Sequence, residues 1–174
     1  PDSGVPAAIG YSEEIKKNVE LGIIRNHYVG RTFIEPTQQI RSLGVKLKHN
    51  VNKSLIKDKS LILIDDSLVR GTTSVKIIKM LYEAGAKEVH LRIASPPIKY
   101  PDYYGVDTPN QNELLASKFD IEGMRKFINA TTLQFLSIAG LYKSMGHEKR
   151  NSSYPQFTDH CFTGQYLVEP VDAN

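Results

Sequence analysis

The fold is decided by residues 60–75, which read SLILIDDSLVRGTTSV. Residues 61–64 form an unbroken apolar run rich in β-branched side chains, the pattern of a strand buried on both faces of a parallel sheet. After a polar turn, apolar residues recur at helical spacing: Val75, Ile77, Ile78, Leu81 and Tyr82. This succession of strand, turn and helix predicts an α/β fold.

The polar residues between this strand and helix are typical of a ligand site. Asp65 and Asp66 end the strand, and open α/β sheets bind their ligands at the carboxyl ends of strands. The turn that follows holds small and hydroxyl residues and one arginine: Arg70, Gly71, Thr72, Thr73 and Ser74. Gly71 lets a ligand approach the backbone, and the free N–H groups of a helix start favour a dianion. The pattern predicts a sugar phosphate with hydroxyls or a metal ion at the carboxylates, unless the two acids only cap a helix or lie in an exposed loop.

Composition narrows the class of protein. A chain of 174 residues with 40% hydrophobic content fits one domain with a packed core. The net charge of +3 comes from 22 basic and 19 acidic residues that are interspersed, so no nucleic-acid partner and no membrane partner is expected. Cys161 is the single cysteine, which excludes an intrachain disulfide and indicates a reducing, cytoplasmic location.

The string ILIDDSLVRGTTS resembles the signature of the type I phosphoribosyltransferases. Further stretches narrow the resemblance to the glutamine phosphoribosylpyrophosphate (PRPP) amidotransferases, the amidophosphoribosyltransferase family. They are PDSGVPAAIGY at 1–11, ELGIIRNHYVGRTFIEPTQQIR at 20–41, LGVKLKHN at 43–50, GAKEVHLRIASPPI at 85–98, YYGVDTP at 103–109 and CFTGQY at 161–166. The resemblance spans almost the whole chain. It implies a mostly parallel sheet flanked by helices, followed by C-terminal helices and a tail.

The resemblance also implies an activity. Members of this family are glycosyltransferases that displace pyrophosphate from PRPP with ammonia to give 5-phosphoribosylamine, the first step of de novo purine biosynthesis. In the family, a glutaminase domain and a core strand precede the PDSG stretch, which here begins the sequence at Pro1. We therefore expect an N-terminally truncated phosphoribosyltransferase domain at 1–146, a linker and tail at 147–174, and a homo-oligomer. Activity of this chain without the glutaminase domain is in question.

The resemblance assigns roles to particular residues. Asp65 and Asp66 would hold the ribose hydroxyls, directly or through Mg2+, and offset positive charge on the ring. The 5′-phosphate would bind at the turn of Arg70, Gly71, Thr72, Thr73 and Ser74. The loop of Asp2, Ser3 and Gly4 would cover the pyrophosphate, with Ser3 near Mg2+. The alternative for Ser3 is an ordinary helix N-cap.

A second group of assignments concerns residues 25–48. Residues 25–33 combine cations, an aromatic residue and a glycine, a mixture that suits a lid hinged at Gly30. Tyr28 and Arg31 fall on the functional positions of this lid, and Lys48 would bind pyrophosphate. Two alternatives stay open: the lid segment could be a polar hairpin without a ligand, and Lys48 could protect an edge strand.

Some family members carry an iron–sulfur cluster, and this sequence departs from their pattern. The cluster cysteines correspond to Asp102, Thr158 and Cys161 here, so one thiolate remains where four are normally needed. We therefore expect Mg2+ and no iron–sulfur cluster. Catalysis by Cys161 with His160 is not expected, since the His160 side chain would point away from Cys161 in an extended segment.

The remaining helices and strands are predicted to support the fold and to take no part in the chemistry. A short helix starts near Pro6, and the helix after the phosphate turn ends at Ala84 and Gly85. Residues 88–94 form the next strand, and two helices follow at 112–118 and 120–129, the second capped by Asp120. Thr131 or Thr132 is predicted to cap a further helix that continues through Tyr142.

Two other functions are compatible with a PRPP site. A regulator that senses PRPP without turnover would need a nucleic-acid-binding module or a basic face, and neither is visible in the sequence. A phosphoribosyltransferase that uses a nucleobase as acceptor is disfavoured, because RNHYVGRTFIEPTQ and YYGVDTP match the amidotransferase pattern.

Overall fold

The computed structural model describes residues 2–26, 49–106, 108 and 110–168. The strands in this part of the chain are β1 (Ile23–Arg25), β2 (His49–Val51), β3 (Ser60–Asp65), β4 (Glu88–Ile93) and β5 (Thr132–Phe135). The helices are α1 (Val5–Ile15), α2 (Lys53–Ile56), α3 (Thr72–Glu83), α4 (Leu115–Lys118), α5 (Ile121–Ile128), α6 (Ile138–Ser144) and α7 (His160–Thr163), with a short 3-10 helix at Gln111–Glu113.

The fold is built around a parallel sheet of three strands. β4 lies between β3 and β5, and all three strands run in the same direction. Alternate residues of β4 are buried, as a central strand with one apolar face requires. The core contains Val89 and Leu91 of this strand together with Ile78 and Leu81 of α3. The predicted α/β class is confirmed, and β1 and β2 add a separate antiparallel pair.

β3 differs from its prediction in one respect. The strand forms where predicted, but Ile62 is 42% exposed, so the strand is not buried on both faces. The reason is its position: among the described strands, β3 pairs with β4 and lies at the border of the sheet. α1 packs against β3 and covers part of it.

Local signals set the helix ends correctly. α1 has Pro6 in its first turn, as predicted. α3 ends at Glu83, and Gly85 follows with a φ of +97° that favours glycine. The Asp120 side chain caps α5 by accepting a hydrogen bond from Gly123 N at 2.7 Å. The predicted helix at 112–118 is instead split into the 3-10 helix and α4, which meet at Leu114.

The helix predicted to start at Thr131 or Thr132 is wrong. Thr132–Phe135 is β5, and α6 begins only after Ser137, whose side chain accepts a hydrogen bond from Gly140 N. The local sequence gives Leu133 a buried side chain and Gln134 an exposed one, the alternation of a strand. Pairing with the free edge of β4 selects this conformation, since it completes the hydrogen bonds of β4.

The C-terminal segment docks through a buried carboxylate. Asp159, 3% exposed, accepts hydrogen bonds from Tyr142 Oη at 2.9 Å and from Arg150 Nη2 at 3.1 Å. Lys99 N donates to Cys161 O at 2.9 Å, which ties α7 to the loop after β4. α7 is helical, so the condition of an extended segment, under which the His160 side chain would point away from Cys161, is not met. The predicted division between residues 146 and 147 stays a prediction.

We expect Asp159→Asn to lower the free energy of unfolding by about 3 kcal/mol, because it removes the charge that Arg150 needs in a buried site. Tyr142→Phe removes one hydrogen bond, keeps the ion pair and should cost about 1 kcal/mol. Chemical denaturation at neutral pH measures both values. Equal losses in the two variants would show that the ion pair adds nothing beyond the hydroxyl contact.

The same carboxylate should make docking sensitive to acid. Burial by itself would raise the pKa of Asp159, but hydrogen bonds from Arg150 and Tyr142 outweigh it and lower the pKa below its ordinary value. A carboxyl with a lowered pKa stabilises the folded state above its unfolded pKa and loses that contribution as pH falls through the folded pKa. The stability gap between parent and Asp159→Asn should therefore narrow in acid.

Within the described ranges, no helix combines the length and apolar character needed to cross a membrane.

Candidate functional site

The acid pair lies at the carboxyl end of β3, as predicted. Asp65 is the last residue of the strand, and its carbonyl accepts a hydrogen bond from Ala94 N, just beyond the end of β4, at 2.9 Å. Asp66 N donates to Asp65 Oδ1 at 3.0 Å, and Ser67 Oγ donates to Asp66 Oδ1 at 3.1 Å. Neither carboxylate caps a helix in these contacts. The two acids are therefore held side by side at the edge of the sheet where ligands bind.

The environment of Asp65 disfavours its charge. Burial raises the pKa of Asp65 above its ordinary value, and the charge of Asp66 raises it further, while the hydrogen bond from Asp66 N opposes both. Such a carboxylate gains from any ligand that brings positive charge. A divalent cation or a cationic sugar ring would offset the cost of ionising Asp65.

We expect Asp65→Asn to raise the free energy of unfolding at neutral pH. A carboxyl with a raised folded pKa contributes stability that is complete below its unfolded pKa and lost as pH rises through the folded pKa. Asparagine does not ionise, so it avoids this loss of stability at neutral pH. Its side-chain oxygen can still accept the hydrogen bond from Asp66 N. Thermal unfolding as a function of pH measures the difference, which should shrink in acid. Glu20→Gln removes the same charge at an exposed position and serves as the control.

The loop of Asp2, Ser3 and Gly4 lies against this acid pair. A Cβ placed on Gly4 would lie 3.1 Å from Ile64 O and 3.3 Å from Asp65 Cα, so the loop approaches the strand end as closely as a glycine allows. Gly4, not Ser3, occupies the N-cap of α1, which contradicts the alternative that Ser3 is an ordinary cap. The loop predicted to bind pyrophosphate therefore borders the predicted ribose site.

Arg25 forms an ion pair with this loop. Asp2 has a φ of +78°, an uncommon conformation for a residue other than glycine. Its carboxylate accepts a hydrogen bond from the Arg25 guanidinium at the end of β1. The ion pair links the loop to the strand that leads into residue 26, a contact that the sequence did not predict.

The predicted phosphate turn has the backbone geometry of an anion site. Gly71 is the N-cap of α3 with a φ of +77°, and no side chain caps this helix. The first hydrogen bond within the helix runs from Val75 N to Gly71 O at 2.9 Å, which leaves the amides of Thr72 and Thr73 for a ligand. Thr72 and Thr73 are exposed, whereas Ser74 is buried against the core.

A buttress of residues 111–118 lies behind this turn. A Cβ on Gly71 would come within 2.8 Å of Leu115 Cδ2 and 3.2 Å of Phe127 Cε1, so glycine is required by space as well as by φ. Arg70 Nε donates to Glu113 Oε2 at 2.8 Å. Sequence reasoning missed Glu113 and Leu115, and no local signal marks them, because they follow the turn by more than forty residues.

Three predicted site residues, Tyr28, Arg31 and Lys48, lie outside the described residues, as does the predicted hinge Gly30. The structure therefore brings together Asp2, Ser3, Gly4, Asp65 and Asp66 at one strand end, with the turn of Arg70, Gly71, Thr72, Thr73 and Ser74 continuing from it.

Asp102, in the loop after β4, lies near Cys161 of the docked C-terminal segment. His160 Nε2 is 2.8 Å from Asp102 Oδ2, and the His160 ring stacks on Tyr166. Burial raises the pKa of the Cys161 thiol, and the charge of Asp102 raises it further. A raised pKa reduces the thiolate fraction, so this environment does not activate Cys161 as a nucleophile.

The acid pair fits one kind of metal binding. Among the described residues, no group of three or more His, Cys, Asp or Glu side chains could hold a metal ion. Mg2+ commonly takes only one or two protein carboxylates and completes its shell with substrate phosphates and water. Asp65 and Asp66 supply that number, beside a loop and a turn suited to phosphate.

Comparison with known proteins identifies the relatives of this chain. No family model matches it. Amidophosphoribosyltransferase of Rhizobium etli is 59% identical over 175 residues, covering 100% of this chain and 35% of the relative. Amidophosphoribosyltransferase of Bacillus subtilis is 48% identical over 169 residues, covering 97% and 35%. The chain thus spans about a third of the length of these curated relatives.

Solved structures give the same result. Glutamine PRPP amidotransferase from Bacillus subtilis, complexed with ADP and GMP, superposes with a TM-score of 0.83 at 48% identity, covering 97% of this chain and 37% of that one. A structure described as the allosteric regulatory enzyme of purine biosynthesis has a TM-score of 0.85 at 47% identity, covering 100% and 37%. The fold and the resemblance predicted from the motifs are confirmed.

Proposed function

Because this chain is homologous over its whole length to one region of the amidophosphoribosyltransferases, we propose that it is the PRPP-binding, phosphoribosyl-transferring region of such an enzyme. The reaction is displacement of pyrophosphate from C1 of PRPP by ammonia to give 5-phosphoribosylamine, the first step of de novo purine biosynthesis. One observation supports it most: the loop Asp2 to Gly4, the acid pair and the phosphate turn all adjoin the carboxyl end of β3.

The proposed chemistry follows from where charge develops. As the bond from C1 to pyrophosphate breaks, the ribose ring becomes more positive and the leaving group more negative. Asp65 and Asp66 lie where their carboxylates can hold the ribose hydroxyls and offset the ring charge. The amides and hydroxyls of Thr72 and Thr73 hold the 5′-phosphate. Catalysis is then positioning and electrostatic stabilisation, and no residue acts as a nucleophile.

The pyrophosphate end is assigned to the loop Asp2 to Gly4 and, from the family resemblance, to Arg31 and Lys48. Backbone amides near Gly4, at the start of α1, favour a negatively charged group. Tyr28 and Arg31 belong to the proposed lid. The Arg31 guanidinium and the Tyr28 hydroxyl would reach the substrate only on closure, which would exclude water from the reacting carbon.

Mg2+ is the proposed metal partner of this site. Asp65, Asp66 and the Ser3 hydroxyl would hold it, and the raised pKa of Asp65 reflects a negative charge that a cation would offset. When bound, the ion neutralises phosphate charge on the substrate. An iron–sulfur cluster is not proposed, and purified protein with a visible absorption band and stoichiometric iron would contradict this.

Partners and location are also proposals. Ammonia would come from a glutaminase region of the same enzyme, and the protein would work as a homo-oligomer in the cytoplasm. Cys161 is half-buried in the docked C-terminal segment and its thiol has a raised pKa, so we assign it no part in glutamine hydrolysis.

The test is pyrophosphate release from PRPP with Mg2+ and ammonium salts, performed on this chain and on the longest natural protein that contains it. Release should rise with pH as ammonium loses its proton, and it should not require a nucleobase. PRPP binding without release would favour a regulator, and release only with a nucleobase would favour that class of transferase. The curated relatives favour neither alternative.

A further inference from the structure

Three consecutive residues contact one short segment: Val69, which precedes the phosphate turn, and Arg70 and Gly71, which begin it. Leu115 N donates to Val69 O at 2.8 Å, Glu113 accepts from Arg70 Nε at 2.8 Å, and the Leu115 side chain packs under Gly71. The segment is itself anchored, because Leu114 and Leu115 are 0% and 3% exposed. The buttress of residues 111–118 therefore fixes the chain at each of these three positions.

The contact to Arg70 leaves part of the guanidinium available. Glu113 binds Nε, and among the described residues no hydrogen bond engages the two Nη atoms of Arg70. Both side chains are about half exposed, at 52% and 49%. An ion pair this exposed contributes little to folding stability. Its main effect is on orientation: it limits the rotation of a long, flexible side chain and leaves the Nη edge free to bind a ligand.

We propose that Glu113 is a positioning residue that orients the Arg70 guanidinium toward the 5′-phosphate of the substrate. This inference rests on the proposed function, since it requires the turn at 70–74 to bind phosphate. An arginine that is already oriented loses less side-chain entropy when a phosphate binds, and its two Nη atoms can form paired, charge-assisted hydrogen bonds.

The charge of Glu113 has an opposing effect, because a carboxylate near the turn repels a phosphate. Glutamine separates the two effects, since its side-chain oxygen accepts the same hydrogen bond without a negative charge. Glu113→Gln should therefore keep the orientation, whereas Glu113→Ala should lose it. Glu83→Gln is the matched control: Glu83 forms an exposed ion pair with Lys79 on α3, remote from the turn in sequence.

The experiment measures the affinities of two probes, ribose 5-phosphate and inorganic pyrophosphate with Mg2+, by calorimetry. Glu113→Ala should weaken ribose 5-phosphate about tenfold, the scale of one charge-assisted hydrogen bond. Glu113→Gln should stay within about twofold of the parent, and pyrophosphate affinity should change less than about twofold in every variant. General damage to the fold would instead weaken both probes together.

Each outcome decides the inference. Parent-like or tighter binding of ribose 5-phosphate by Glu113→Ala overturns it, as does equal weakening of both probes. If the parent binds neither probe, the proposed function fails and this inference fails with it. If the parent binds both and the Glu113 variants match Glu83→Gln, only the positioning role is wrong.

Discussion

Asp65→Asn and Asp66→Asn are each expected to lower kcat/KM for PRPP by about 2–4 kcal/mol of transition-state stabilisation, measured as ammonia-dependent pyrophosphate release. Each substitution removes one negative charge from the end of β3, where the ribose ring gains positive charge in the proposed reaction. The backbone contacts that fix this strand end, such as Ala94 N to Asp65 O, do not depend on the carboxylates. The loss should therefore be chemical and not structural.

Stability provides the control for this prediction. Since burial and Asp66 raise the pKa of Asp65, the asparagine variant should be more stable than the parent at neutral pH while being less active. Opposite changes in stability and activity cannot result from partial unfolding. Unchanged kinetics in both variants would indicate that the acids play a structural role only.

Activity should also depend on the protonation of Asp65. The raised pKa of Asp65 predicts that kcat/KM of the parent, measured at a constant concentration of free ammonia, falls as pH decreases through that pKa, because the protonated carboxyl no longer offsets the ring charge. Asp65→Asn should lose this acid limb. If kcat/KM of the variant falls in acid at the same pH as that of the parent, a group other than Asp65 causes the fall.

The sequence predicted those parts of the site that depend on neighbours in the chain. An apolar strand, two acids, a glycine and a hydroxyl-rich helix start occupy sixteen consecutive residues, so their order predicts β3, the turn and α3. The position of Gly71 illustrates this, since a positive φ at a helix start is a local requirement that glycine satisfies.

Contacts between distant residues were not predictable in this way. Glu113 and Arg70 are 43 positions apart, and His160 and Asp102 are 58 apart, with nothing in either local sequence to pair them. The same limit explains β5: Thr132–Phe135 is short enough to suit either a helix or a strand, and the free edge of β4 determines the outcome.

Gly71→Ala is expected to have the second large effect. The alanine must adopt a φ of +77°, which costs about 1–2 kcal/mol, and its Cβ would meet Leu115 Cδ2 at 2.8 Å and Phe127 Cε1 at 3.2 Å. The Leu115 side chain is only 3% exposed and has little room to move, and the ring of Phe127 stacks on that of Phe119. The turn should therefore shift away from the buttress, and a misplacement of about 1 Å can lower the rate by about 10²-fold.

Gly146→Ala controls for a general loss of stability. Gly146 has a φ of +83°, so alanine there carries a similar backbone cost, but a Cβ would meet nothing within 4 Å. Both variants should lose stability in denaturant unfolding, whereas only Gly71→Ala should lose affinity for ribose 5-phosphate and activity with PRPP. Equal activity in the two variants would mean that the turn tolerates displacement, and it would then be unsuited to hold a phosphate by its backbone amides. Loss confined to Gly71→Ala would instead indicate that the position of the turn matters for the phosphate, because a similar backbone cost at Gly146 leaves binding and activity intact.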